Sequence, residues 1–374
     1  MAWGLSVMAR GFWRPQNYIT TSRRNEGTSL CDVISTVMPK AIRHTLLWGT
    51  VLVLMGCEPE LPAFTVADVR EVPAHFPAYV EPADNPLNEA KWELGRHLFF
   101  DERFSADGML SCASCHNPSL AMADSLAVTP GSSGALGVRN APALVNLAWQ
   151  PRFHREGGVS SLEAQVLAPV QEPTEFHRDL VELVDQLGQD LQYQEWAQEG
   201  FDRPFDAYVM TRALAAFQRT LISGSAPYDR WLQGQAEALS PAALRGRDRF
   251  EEFECASCHQ GVMLSDFATH NTGLYASYVD QGAYRLTFDS TDIGAFKTPS
   301  LRNVALTAPY MFDGSLPTLE SVLEHYASGG SGHVNQDERI QARALSARDR
   351  SDLIAFLESL TDDKFVTWSE GLRP

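Results

Sequence analysis

The sequence predicts a mainly α-helical chain made of two tandem domains of one design. Two observations predict it. The pentapeptide Cys-Ala-Ser-Cys-His occurs twice, at residues 112–116 and 255–259, and each copy sits between a helix that leads into it and an apolar-striped helix that closes behind it. The chain has 374 residues, 44% apolar and 21% charged. That is room for two cores of ordinary size and the composition of a globular protein.

Taken in chain order, the first element is an export signal. Lys40 and Arg43 precede the apolar run from Leu46 to Met55, followed by Gly56 and Cys57: a positive region, a short apolar region and a small residue before a cleavage point. The run is shorter than the roughly 20 residues that span a bilayer. Leu54-Met55-Gly56-Cys57 resembles the lipobox of bacterial lipoproteins, which would make Cys57 the acylated first residue of a periplasmic, membrane-anchored chain. Cleavage nearby that leaves Cys57 free is the alternative. Residues 1–37 precede a complete signal that has its own Met38, and read as an over-extended start.

Residues 58–83 are a linker to the first domain, 84–235. There Asn88 is placed to cap a helix whose Ala90, Leu94 and Leu98 share one face, ahead of the loop that delivers Cys112. Met210, Leu214, Phe217 and Leu221 form the closing stripe. A boundary near residues 233–238 opens the second domain, 236–374. Ser240-Pro241 is an N-cap followed by proline at the first helical position, on a helix leading into Cys255. Leu353, Phe356, Leu357 and Leu360 close this domain behind Ser346, with Asp349 three residues on. The Gly- and Pro-rich stretch 130–137 reads as loop.

Two thiols three apart add across the two vinyl groups of haem, and the adjacent histidine then presents an imidazole to the iron. The repeated motif therefore predicts cytochrome c-like domains, each with one covalently bound c-type haem, held by Cys112, Cys115 and His116 and by Cys255, Cys258 and His259. In such a domain the closing helix is expected to cross the helix that bears the cysteines. Covalent haem also agrees with export, since it is attached outside the cytoplasm. A redox dithiol, a zinc site and a disulfide remain as other uses of a Cys-x-x-Cys pair. Six of the 30 basic and two of the 47 acidic residues fall in the first 57, leaving the remainder at a net charge of −21. Nucleic acid is excluded as a partner, and a basic or dipolar protein fits this surface.

Around these motifs lie Leu94-Gly95-Arg96-His97-Leu98-Phe99-Phe100-Asp101, Arg139-Asn140-Ala141-Pro142 and Ser161-Leu162-Glu163-Ala164-Gln165. Further on come Phe296-Lys297-Thr298-Pro299-Ser300-Leu301-Arg302-Asn303-Val304, Thr307-Ala308-Pro309-Tyr310 and His325-Tyr326. Over residues 84–362 the chain resembles the bacterial di-haem cytochrome c peroxidase family, in its MauG- and MbnH-like branch.

The resemblance implies that hydrogen peroxide is reduced at the N-terminal haem, with His116 as proximal ligand, Glu175 as catalytic acid/base and Gln165 as the distal amide. Residues 125–138 lack the histidine with which some members close that haem. At the second haem it implies His259 and Tyr326 as axial ligands. Tyr326 stands sixteen residues after Tyr310, where peroxidases fed by a small cytochrome carry methionine. An interdomain calcium is implied at Asn140, Thr307 and Pro309. The chain departs from the family at Arg155, where a tryptophan usually stands between the haems, and at Phe312, where a histidine is usual. Both fall on the expected electron route, which could instead use Trp149. The implied reductant is a cytochrome or cupredoxin, or aromatic residues of a partner protein. A di-haem electron carrier without peroxide chemistry is the other functional class.

Overall fold

The computed structural model describes Val69 and residues 71–374; the predicted export signal and Cys57 lie outside the described residues. Helices dominate the first half: Glu89–Phe99, Cys112–Cys115, Leu162–Gln165, Leu167–Gln171, Leu180–Leu187, Leu191–Phe201 and Ala207–Arg219. After the short helix Pro227–Leu232, the second half contributes Pro241–Glu252, Tyr284–Thr287, Leu319–Ser328, Ala347–Glu358 and Asp363–Glu370. One two-stranded antiparallel ribbon pairs Thr269 with Lys297 and His270 with Phe296.

Local chemistry starts each helix where the sequence predicted. The Asn88 side chain accepts from the Lys91 N–H at 2.9 Å, and Ser240 accepts from the Ala243 N–H at 3.1 Å ahead of Pro241. Ser346 and Asp349 close a reciprocal pair, the Asp349 N–H donating to the Ser346 hydroxyl and the Ser346 N–H to the Asp349 carboxylate, both at 3.1 Å. Each cap satisfies an N–H that the helix itself leaves open.

Both halves repeat one helix crossing. The opening helix Glu89–Phe99 lies against the closing helix Ala207–Arg219, and Pro241–Glu252 lies against Ala347–Glu358. A glycine permits each approach. A Cβ on Gly95 would stand 2.1 Å from the Ala213 carbonyl oxygen and 2.7 Å from the Phe217 Cβ. On Gly246 it would stand 1.8 Å from the Asp352 carbonyl oxygen and 2.8 Å from the Phe356 Cβ. The predicted stripes are the buried faces of these crossings, with Met210, Leu214, Phe217 and Leu221 on one and Leu353, Phe356, Leu357 and Leu360 on the other.

One expectation is corrected. The closing helix crosses the opening helix, not the cysteine-bearing one. The cysteines sit on separate single turns, Cys112–Cys115 and Cys255–Ser257, too short to offer a ridge for helix crossing and free to aim their side chains into a cavity.

Two apolar cores result. The first is built around Trp92, Phe99, Phe104 and Phe217 and also takes Phe365 and Leu372 from the chain's last segment. There the Ser369 hydroxyl donates to the Pro118 carbonyl at 2.8 Å, and Arg96 donates to the Leu372 carbonyl at 2.9 Å. The second gathers Phe250, Leu353, Phe356 and Leu357.

Between them runs a buried polar seam. Arg302 grips both oxygens of Asp229 at 2.8 Å, with both side chains essentially inaccessible. Asn303 donates to the Ser223 hydroxyl at 2.9 Å and accepts from the Asp362 N–H at 2.8 Å. Asn146 exchanges two 2.9 Å bonds with the Ser223 backbone.

Gly95→Ala and Gly246→Ala should each destabilise the protein by at least about 1–3 kcal/mol, the usual cost of overpacking a close contact. Chemical denaturation of the two variants checks this, and a loss at only one glycine would show that the crossings are not equivalent.

Candidate haem centres

Both pentapeptides open onto one cavity of about 910 Å³ whose lining includes Cys112, Cys115, His116, Cys255, Cys258 and His259. Burial pushes the Cys112 thiol up to about 12, the nearby Cys115 adding to it, and burial raises Cys115 and Cys255 to about 11. Such thiols are not the activated thiolates of a dithiol oxidoreductase. None of the four is in a disulfide.

The two histidines are oriented alike. His116 Nδ1 donates to the Met122 carbonyl at 3.3 Å, and His259 Nδ1 donates to the Leu264 carbonyl at 3.1 Å. A carbonyl can only accept, so the proton sits on Nδ1 and the Nε2 lone pair is left to face a metal. Burial holds both imidazoles neutral, His116 down to about 4. Paired thiols, a free imidazole nitrogen and walls that include Phe99, Phe104 and Leu144 fit covalent haem at the first motif. Phe250, Leu323 and Leu353 serve the second in the same way.

A zinc reading fits less well. Among the described residues, the only cluster of metal-binding side chains is Cys258, Asp266 and His270. Both nitrogens of His270 are already engaged at 2.9 Å, with Asp337 and Asp266.

The same cavity is lined by Gln165, Glu175 and, from the stretch lacking histidine, Val128, Leu136 and Val138. Gln165 ends the helix Leu162–Gln165, capped by Ser161. Glu175 sits on a turn closed by its own N–H to the Glu172 carbonyl at 3.0 Å and by the Phe176 N–H to the Pro169 carbonyl at 3.1 Å. Its carbonyl accepts from the Ser132 N–H at 2.6 Å, and a Cβ on Gly131 would stand 2.1 Å from the Thr174 carbonyl oxygen. Gly131 and Ser132 thus position Glu175. Sequence reading took them for plain loop, because only folding brings two segments forty residues apart together. Burial, reinforced by Glu172, raises the Glu175 carboxyl above the ordinary carboxylate range.

At the second centre Tyr326 lines the cavity from helix Leu319–Ser328. His325 points away, donating to the Thr272 carbonyl at 3.0 Å. Burial raises the Tyr326 phenol, and the thiols of Cys255 and Cys258 and then the Tyr278 phenol add to it.

Between the centres stand Arg155, Phe296 and Phe312. The two phenyl rings stack at 3.9 Å and 9°. Arg155 turns onto Asn140, donating from Nη2 to its side-chain oxygen at 2.8 Å and to its carbonyl at 2.9 Å. Asn140, Thr307 and Pro309 all line the cavity, and the Asn140 side-chain oxygen, the one implied for calcium, accepts from the Arg155 cation. Trp149 lies elsewhere: it packs on Phe76 at 5.2 Å and donates to the Pro77 carbonyl at 3.1 Å, at the linker. Lys297, within a quoted motif but given no role there, lines the cavity beside Arg155, with its amine lowered to about 8 by burial and then by Arg155.

A family model for di-haem cytochrome c peroxidase matches residues 89–237. The chain is 40% identical over 283 residues to the methylamine utilization protein MauG of Methylorubrum extorquens, covering 75% of this chain and 80% of that one. It is 32% identical to the cytochrome-c peroxidase IdrP1 of Pseudomonas sp. (strain SCT), covering 79% and 87%. Among solved structures, a MauG-like protein associated with microbial copper homeostasis superposes with a TM-score of 0.76 at 36% identity, covering 79% and 96%.

Replacing Cys112 and Cys115 together, or Cys255 and Cys258 together, by serine should remove one of two covalent haems. Intact mass and haem quantitation of protein matured in a haem-attaching host would check the loss.

Proposed function

This chain belongs to the di-haem cytochrome c peroxidase family and is an oxidoreductase of that family; from that premise we propose that the N-terminal centre reduces hydrogen peroxide while the C-terminal centre relays the oxidising equivalents to a protein substrate. The observation that carries this reading is the asymmetry of the two centres. One has a raised carboxyl, Glu175, whose charge reaches Cys112 and Cys115, and the other has a phenol, Tyr326, whose neighbours include the thiols of Cys255 and Cys258.

When bound, the haem iron supplies the redox chemistry that passes two electrons to peroxide. The chain supplies the rest. His116 and His259 each offer Nε2 because a backbone carbonyl holds the proton on Nδ1. Glu175 takes a proton from the near oxygen of peroxide and returns it to the far one, so that the leaving group departs as water. Its raised affinity for protons brings both halves of that exchange nearer to neutral pH. Gln165 orients the peroxide with its amide, and the apolar residues Val128, Leu136 and Val138 limit water at this face.

At the second centre Tyr326 would hold the haem iron through its phenol oxygen, which would then be an anionic ligand favouring higher iron oxidation states over ferrous. Such a centre suits storage of oxidising equivalents and the oxidation of a partner's aromatic residues, more than acceptance of electrons from a small cytochrome. The identity to MauG points the same way. The signal within residues 38–57 supports a periplasmic, lipid-anchored location; among the described residues no helix is long and apolar enough to cross a membrane.

Glu175→Gln should lower peroxide turnover on the order of 10²–10⁴-fold, the usual contribution of a positioned acid/base. Since the base form begins the exchange, wild-type kcat/KM should rise as pH climbs through the raised carboxyl pKa, and this limb should vanish in the variant. An unchanged pH profile would remove Glu175 from the mechanism.

Tyr326→Met should change the ferric spectrum of the C-terminal centre and raise turnover with a reduced small cytochrome. Identical spectra in variant and wild type would show that the phenol is not a ligand.

A further inference from the structure

We propose that the Arg155 guanidinium is a built-in cation beside the seam between the two halves, seated on the Asn140 side-chain oxygen that the family resemblance assigns to calcium, so that this chain binds no calcium there. The inference goes beyond the peroxidase reading and is tested without it.

The shell around Arg155 is the first support. Asn140 presents two oxygens: its carbonyl accepts from Nε at 3.2 Å and from Nη2 at 2.9 Å, and its side-chain oxygen accepts from Nη2 at 2.8 Å. The orientation of that amide is settled from its other end, because Nδ2 donates to the Leu126 carbonyl at 3.0 Å and leaves the oxygen for Arg155. Among the described residues no carboxylate bonds Arg155. Of the acids nearby, Asp280, at 2.7 Å, and Glu156 pair with Arg139, while Asp313 accepts from the Tyr275 hydroxyl and acts on Arg155 through its charge without a bond. Neutral oxygens alone therefore solvate a cation here, and that is the kind of shell a hard metal ion would use.

Charge is the second support. A guanidinium keeps its charge at neutral pH, so Arg155 is a cation here. A dication on the same two oxygens would meet that charge at close range in a poorly solvated place, and like charges so placed exclude each other.

Continuity across the seam is the third. The Asn140 N–H donates to the Phe312 carbonyl at 2.9 Å, and the Arg155 carbonyl accepts from the Lys297 N–H at 2.6 Å. Both partners belong to residues 296–312, the segment that carries Thr307 and Pro309. The two halves are thus already joined here by backbone hydrogen bonds, on the residues that carry and hold the guanidinium.

The test measures calcium content of the holoprotein by mass spectrometry after exchange into calcium-free buffer, and thermal unfolding with EGTA or with millimolar calcium chloride. Wild type should retain no stoichiometric calcium, and neither addition should move its melting temperature. Arg155→Ala should melt several degrees lower and recover part of the loss in calcium, since a ligand bound only by the folded state stabilises it. Arg155→Trp keeps the volume without the charge and serves where the alanine variant does not fold. Stoichiometric calcium in wild type, with a melting temperature that EGTA lowers, would overturn the proposal. So would variants that stay blind to calcium. Peroxide turnover is not read, so failure here is distinct from failure of the enzymatic assignment.

Discussion

The bidentate pair between Arg302 and Asp229 is the constraint on which the rest of the structure depends. Both side chains are withdrawn from water, and a buried ion pair is tolerated only when its remaining donors and acceptors are also met. Here they are. Arg302 Nε donates to the Val262 carbonyl at 2.7 Å, just past the second pentapeptide, and Asp229 also accepts from the Ala226 N–H at 3.0 Å and from His75 at 2.8 Å. Burial alone would push the Asp229 carboxyl up, but the Arg302 bonds and charge reverse this and keep it ionised. One pair thereby ties the linker, the junction helix Pro227–Leu232 and the segment that walls the second centre.

That bolt has a consequence for the shared cavity. Each half carries a core of its own, and neither core alone surrounds the space between the two histidines. Asn146, Ser223, Asn303 and Asp362 extend the seam as a satisfied, buried polar network, which fixes register where apolar contact would allow sliding. The last helix returns to the first core, adding a second tether. The seam thereby fixes the two motifs relative to each other.

The two halves share features at matching places. Gly95 and Gly246 sit at matching crossings, and His116 and His259 are oriented by matching carbonyls. The lining differs between them, with Glu175 acting on the thiols of Cys112 and Cys115 and Tyr326 neighbouring those of Cys255 and Cys258. Proximal geometry is a matter of local chain conformation and is copied; distal chemistry comes from remote segments and is free to change.

Much of this was legible in the sequence because it is encoded locally. A Cys-x-x-Cys-His pentapeptide carries its chemistry within five residues, and the caps at Asn88, Ser240 and Ser346 with the stripes behind them follow from helical period and backbone valence. What only the tertiary structure decided depends on segments distant in the chain. The closing helices cross the opening helices because that is where the glycines allow approach. Glu175 is placed by Gly131 and Ser132, Trp149 is turned to the linker, and Arg155, which sequence could mark only as a substitution, lies with its charge on the oxygens of Asn140. Hydrogen bonds between remote residues leave no periodic trace, so a sequence can name the participants and only the fold can pair them.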